Sequence, residues 1–181
     1  SLMVISRTFN VVWEEQHVEV DWSGYLEQGQ SYEINHEPGA GARIIQVNAT
    51  LILARDLLPI MWPEDNFTLS LGVPASGWST FVSTNHDNFT ENASGSLDRG
   101  EMNSHPESGY TITADSSDGL VEALLNEPGE RFGQGTWYWT ITADQCDPDL
   151  PVDGVDPDQG NDWELVIKFV ILVPRVSEIG V

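Results

Sequence analysis

The sequence predicts an all-β fold, an antiparallel jelly-roll-like β-sandwich of about nine strands with at most one short helix. Three observations carry that expectation. Apolar residues alternate with polar ones at period two, clusters of Gly, Pro, Asn and Asp punctuate the alternation, and helical periodicity is scarce. With 181 residues, one sandwich domain spanning 1–181 is expected, long enough to bury a core without disulfides.

Near the start, Phe9, Val11 and Trp13 occupy odd positions, whereas Val18, Val20 and Trp22 occupy even ones, with Glu14, Glu15 and Gln16 between. A β-bulge or a bend between sheets is expected at that change of parity. A short strand follows at 31–35. At 45–53, Ile45, Val47, Ala49, Leu51 and Leu53 define one face against Gln46, Asn48 and Thr50. At 66–73, Phe67, Leu69, Leu71 and Val73 oppose Asn66, Thr68, Ser70 and Gly72. Shorter strands are expected at 78–83 and 110–114.

Residues 118–126 predict the one helix. Asp118 is its N-cap candidate, Leu120, Val121, Leu124 and Leu125 form an apolar stripe, and Pro128-Gly129 end it. A turn is expected at 55–58, closed by Pro59. At 136–143, Trp137, Trp139, Ile141 and Ala143 alternate with Thr140 and Thr142. The last strand, 162–173, puts Trp163, Leu165, Ile167, Phe169, Ile171 and Val173 on one face, while Val170 and Leu172 make the other apolar near its end. Such a strand is central or covered by a further element. Two polar stretches, 84–108 and 144–161, read as long loops, which in a compact domain are functional or disordered.

The charge is lopsided, with 29 acidic residues against 7 basic ones, a formal net charge of −22, and Lys168 as the only lysine. Phosphate recognition needs clustered Lys and Arg, so nucleic-acid binding is set aside. The composition suits salty water, where screening removes most of the self-repulsion. No apolar run approaches the roughly 20 residues needed to cross a bilayer, so no membrane insertion is expected in this segment. The chain opens Ser1-Leu2-Met3 and is expected to be a piece of a longer secreted or surface protein. Cys146 is the only cysteine, which excludes an intramolecular disulfide and reads as a small buried hydrophobe.

The acidic stretch before the last strand is the candidate metal site. Calcium takes six to eight oxygen ligands, and Asp147, Asp149, Asp153, Asp156, Asp158 and Asp162 supply short, hard donors, with Gly154 and Gly160 permitting tight turns among them. The spacing does not follow the EF-hand pattern, and the competing reading is a solvated acidic loop. Four Asn-x-Ser/Thr sequons begin at Asn48, Asn66, Asn88 and Asn92. Strand parity assigns Trp13, Trp137, Trp139 and Trp163 to the core. It leaves Trp22, Trp62 and Trp78 near strand ends, where an exposed ring could stack on a sugar or simply pack the rim. His17, His36, His86 and His105 follow no ligand spacing, and no nucleophile elbow, zinc-protease or nucleotide-loop motif occurs.

The segment Glu64-Asp-Asn-Phe-Thr-Leu-Ser-Leu-Gly-Val-Pro74, the Asn-rich residues 85–96, and Gly135-Thr-Trp-Tyr-Trp-Thr-Ile-Thr142 together resemble secreted jelly-roll accessory domains. The groups concerned are the prepeptidase C-terminal domains and the P-domains of subtilisin-type convertases. The first 40 residues and the acidic insertion before the last strand depart from that pattern. The resemblance implies a non-catalytic accessory or surface role, often with calcium. The functional expectation is therefore a non-enzymatic extracytoplasmic module, extracellular or at the cell surface, with an adhesion, binding or structural role and an unidentified protein or glycan partner. A carbohydrate-binding module is the alternative, and it requires a solvent-exposed Trp or Tyr pair along one face or rim. A small glycoside hydrolase is the further alternative, requiring two carboxylates in a concave pocket.

Overall fold

The computed structural model describes residues 6–54, 65–86, 93–146 and 160–180. Within them the order is β1 (Arg7–Glu27), β2 (Ser31–His36), β3 (Arg43–Leu53), β4 (Asp65–Val73), β5 (Trp78–His86), β6 (Ala93–Arg99), β7 (Tyr110–Ala114), α1 (Ser117–Leu125), β8 (Trp137–Gln145) and β9 (Gly160–Glu178). The strands form two antiparallel sheets, β6-β3-β9-β1-β7 and β2-β8-β4-β5. Leaving β7 aside, the strands pair as a nested hairpin, β1 with β9, β2 with β8, β3 with β6 and β4 with β5. That hairpin wraps on itself through β3·β9 and β4·β8. This is the connectivity of an eight-stranded jelly roll, with β7 added beside the start of β1.

Period-two burial holds wherever the two sheets face each other. In β3, Val47, Ala49, Leu51 and Leu53 are buried, as are Phe67, Leu69, Leu71 and Val73 in β4 and Trp137, Trp139, Ile141 and Ala143 in β8. These pack against Trp163, Leu165, Ile167 and Phe169 of β9 in one inter-sheet core. The rings of Trp137 and Trp139 are fully buried, and each removes about 200 Å² from water, worth roughly 5 kcal/mol of transfer free energy. Their polar edges are satisfied: Trp137 Nε1 donates to the Gly133 carbonyl at 2.7 Å, and Trp139 Nε1 to His36 Nε2 at 2.8 Å. Cys146 lies in the same core.

The parity change in β1 has a different cause from the one expected. β1 and β9 pair without a register shift from Phe9↔Glu178 to Glu27↔Gly160, so no bulge and no change of sheet intervenes. The cover changes instead. Val20 and Trp22 face the inter-sheet core, whereas Phe9, Val11 and Trp13 point from the opposite face of the sheet. There they meet Leu172 of β9 and Leu120 and Leu124 of α1 in a second core. The same layer accounts for the doubly apolar end of β9, which is both central in its sheet and covered by the helix.

The helix is capped by Ser116, whose hydroxyl accepts from the Gly119 N–H at 3.1 Å, rather than by Asp118. Its C-terminal end is tied down by Arg43, which is 2% exposed. That guanidinium donates to the Leu124 carbonyl at 3.3 Å, pairs with Glu127 at 3.1 Å, and lies 4.6 Å above the Trp13 ring. A cation at a helix C-terminus is favoured by the helix dipole.

One strand lies in sequence read as a loop. Ala93–Arg99 forms β6 and pairs with β3 along Val47–Leu53. Its composition is small and polar, and Leu97 is its single buried residue. Among the described residues no helix is long and apolar enough to cross a membrane.

Candidate binding face

In the β2-β8-β4-β5 sheet, the residues that alternate with the core form the outer face. β4 contributes Thr68, Ser70 and Gly72 there, β8 contributes Tyr138, Thr140 and Thr142, and β5 contributes Ser79, Phe81 and Ser83. The register arranges them in rows across the sheet. One row runs Asn35, Tyr138, Gly72, Ser79, and the next Glu33, Thr140, Ser70, Phe81. Glu33 is the only charged residue in those two rows, in a chain of net charge −22.

Two rings stand out from this hydroxyl-rich surface. Phe81 is 71% exposed and Tyr138 45%. Between them the surface dips into a shallow hollow of about 650 Å³ lined by Ser70, Gly72, Ser79, Phe81, Tyr138 and Thr140. A Cβ on Gly72 would meet nothing within 4 Å among the described residues, so the floor beside Tyr138 is open backbone there. Apolar residues exposed singly are ordinary. Two aromatics on one sparsely charged face of so acidic a chain are not, and the face is our candidate site.

The tryptophans singled out as sugar platforms do not form it. Trp22 packs edge-on against His36 with ring centroids 5.5 Å apart. Trp78 lies against Phe132 and Trp137, beneath the Arg99 guanidinium, 4.6 Å from its ring. Both are rim packing. Trp13, Trp137, Trp139 and Trp163 are buried, in line with strand parity, and Trp62 lies outside the described residues. The sequence did carry a signal for Tyr138: once Trp137 and Trp139 are assigned to the core, the residue between them must point out.

Of the six proposed calcium ligands, Asp147, Asp149, Asp153, Asp156 and Asp158 lie outside the described residues. Asp162 is exposed in β9, opposite Tyr25 of β1. With Glu164, two residues on along the same face, it lines a hollow of about 520 Å³ together with Ser23, Tyr25 and Ile52. Among the described residues no three His, Cys, Asp or Glu side chains are grouped to hold a metal ion. Of the sequons, Asn48 and Asn66 fall on polar strand faces, as expected. Asn48 Nδ2 is engaged by the Asp98 carboxylate, and Asn88 and Asn92 lie outside the described residues.

His36 sits at the aromatic rim, its ring within 6.5 Å of Trp22, Trp137, Trp139 and Phe169. Burial holds its pKa below the ordinary histidine value. Accepting from Trp139 at Nε2 places the proton of the neutral ring on Nδ1. The acceptor nitrogen is thus committed to the core.

No family model matches the chain, and no curated protein matches it. Among solved structures, the chain is similar to the cryo-EM structure of mud crab tombus-like virus at 3.3 Å resolution. The identity is 11%, with 91% of this chain and 92% of that chain covered, and the TM-score is 0.28. A TM-score that low carries no argument about fold or function.

Proposed function

We propose that this domain is a non-enzymatic binding module of a secreted or surface-exposed protein, and that it meets its partner through the outer face of the β2-β8-β4-β5 sheet. The supporting observation is the pairing of two exposed rings, Phe81 and Tyr138, with a nearly uncharged surround. Electrostatic self-repulsion keeps most of an acidic surface solvated and apart from its neighbours. A neutral face removes that barrier, and exposed aromatic rings supply contact area at small entropic cost. The resemblance to secreted accessory domains agrees with this reading.

The test compares wild type with the Phe81→Ser/Tyr138→Ser double variant in pull-downs on washed cell-wall and capsule preparations. Retention of wild type, and its loss in a variant with an unchanged thermal melt, is the expected result. Equal retention of both proteins overturns the assignment of the face.

Asp162 and Glu164 support a second reading, glycoside hydrolysis, because they set two carboxylates in one hollow. That reading requires release of reducing ends from polysaccharide by wild type and its loss in Asp162→Asn and Glu164→Gln. No release from plant, algal and microbial polysaccharides rejects it.

A further inference from the structure

We infer that the ligand of this face is an uncharged oligosaccharide lying diagonally from Tyr138 across Gly72 and Ser70 to Phe81. The inference rests on the reading of the face as the contact surface. The register fixes the ring placement: Tyr138 is opposite Gly72, and Phe81 is opposite Ser70. The two rings are thus two strands apart and one outward-facing position apart along the strands. With about 4.8 Å between strands and about 3.3 Å per residue, their Cα atoms are roughly 12 Å apart. That span suits several linked sugars rather than one.

The chemistry between the rings matches the same ligand. A pyranose has an apolar C–H face, which stacks on an aromatic ring, and a hydroxyl rim, which donates and accepts hydrogen bonds. Here the rings alternate with Ser70, Ser79, Thr140 and Asn35, each able to hydrogen-bond in both directions. Among the described residues nothing lies within 4 Å of a Cβ built on Gly72, so a sugar ring beside Tyr138 can settle on the backbone.

Other ligands fit worse. A protein partner or a second copy needs a contiguous apolar centre, and these rings are separated by hydroxyl-bearing residues. An anionic polymer meets the repulsion of a chain with net charge −22. A cationic one finds no carboxylate row here, only Glu33 and, beyond Thr142, the Asp144 carboxylate that accepts from Thr68.

The test is titration of the ¹⁵N-labelled domain with cellohexaose, xylohexaose, mannohexaose and laminarihexaose, followed by amide shifts and calorimetry. At least one hexaose should move the amides of residues 70–72, 79–81 and 138–140. Its affinity should be unchanged by about 1 M salt, because no ion pair contributes. Phe81→Ala and Tyr138→Ala should each weaken it about tenfold, or about 1.4 kcal/mol, while His17→Ala, on the other sheet, should not. The inference is overturned if no hexaose moves these amides, if the shifts lie elsewhere, or if both variants bind as tightly as wild type. Sedimentation separates the two failures. Self-association lost in the double variant, without a sugar response, removes the sugar but keeps the contact face.

Discussion

His36 must stay neutral for the aromatic rim to hold together. Its Nε2 accepts from Trp139, and a protonated ring has no lone pair to offer. Burial lowers its pKa in the fold, so the unfolded chain binds the proton more tightly. The stability due to this group is full above the ordinary histidine value, about 6.5, and is lost as pH falls through that value towards the lower folded one. Between pH 7 and 5, urea midpoints of wild type should therefore fall relative to those of His36→Gln, whose carboxamide oxygen can still accept from Trp139. Parallel midpoints in the two proteins would show that His36 carries no such coupling. At this scale the sequence was most legible where side chains are large and apolar: parity alone placed Trp13, Trp137, Trp139 and Trp163. It was less explicit on Phe81, because 78–83 puts Trp78 and Val82 on one parity and Phe81 on the other, so apolar residues fall on both faces. Pairing with β4 decides between them.

Among the elements, β6 shows why propensity alone misses an edge strand. Ala93–Arg99 is held by backbone pairing with β3 and by a glycine at the point of closest approach to β5. A Cβ built on Gly95 would collide with Thr84 Oγ1, and Thr84 is itself buried. Gly95→Ala should destabilise the domain by about 1–3 kcal/mol, the usual range for overpacking. Adding Thr84→Ala should recover most of the loss in a double-mutant cycle on chemical melts, and additive losses would refute the contact. The misread junction in β1 has a related origin. Periodicity records which face of a strand is covered but not what covers it, so a helix on the far side of the sheet mimics a bulge. Among the described residues the strand remains an edge beyond Val11, where β7 stops pairing. Glu14, Glu15, Glu19, Asp21 and Glu27 then place charge along that edge, which discourages edge-to-edge aggregation.

For the whole molecule, charge governs the response to solution conditions. Twenty-nine acidic side chains against seven basic ones repel one another in the fold more than in the expanded chain. Raising salt from about 0.05 M to about 1 M shortens the Debye length from over 10 Å to about 3 Å, so the melting temperature should rise. A fall would mean that ion pairs such as Arg7–Glu178 and Arg175–Glu14 outweigh the repulsion. We also propose that calcium binds the acidic segment. Millimolar calcium should then raise the melt at fixed high salt, with reversal by chelator, because a ligand of the folded state alone must stabilise it. A shift below roughly 1 °C would remove calcium from the account. The nested hairpin has a mechanical consequence. β1 and β9 are antiparallel, and Phe9 pairs with Glu178 at the end of the ribbon. A pull applied through the two ends of the domain therefore opens the longest strand pair like a zipper, breaking its bonds one after another instead of shearing them together. As a link strung between two anchors the domain would yield at low force. Held from one end it keeps both sheets out of the line of load, and an appended surface module would be held in that way.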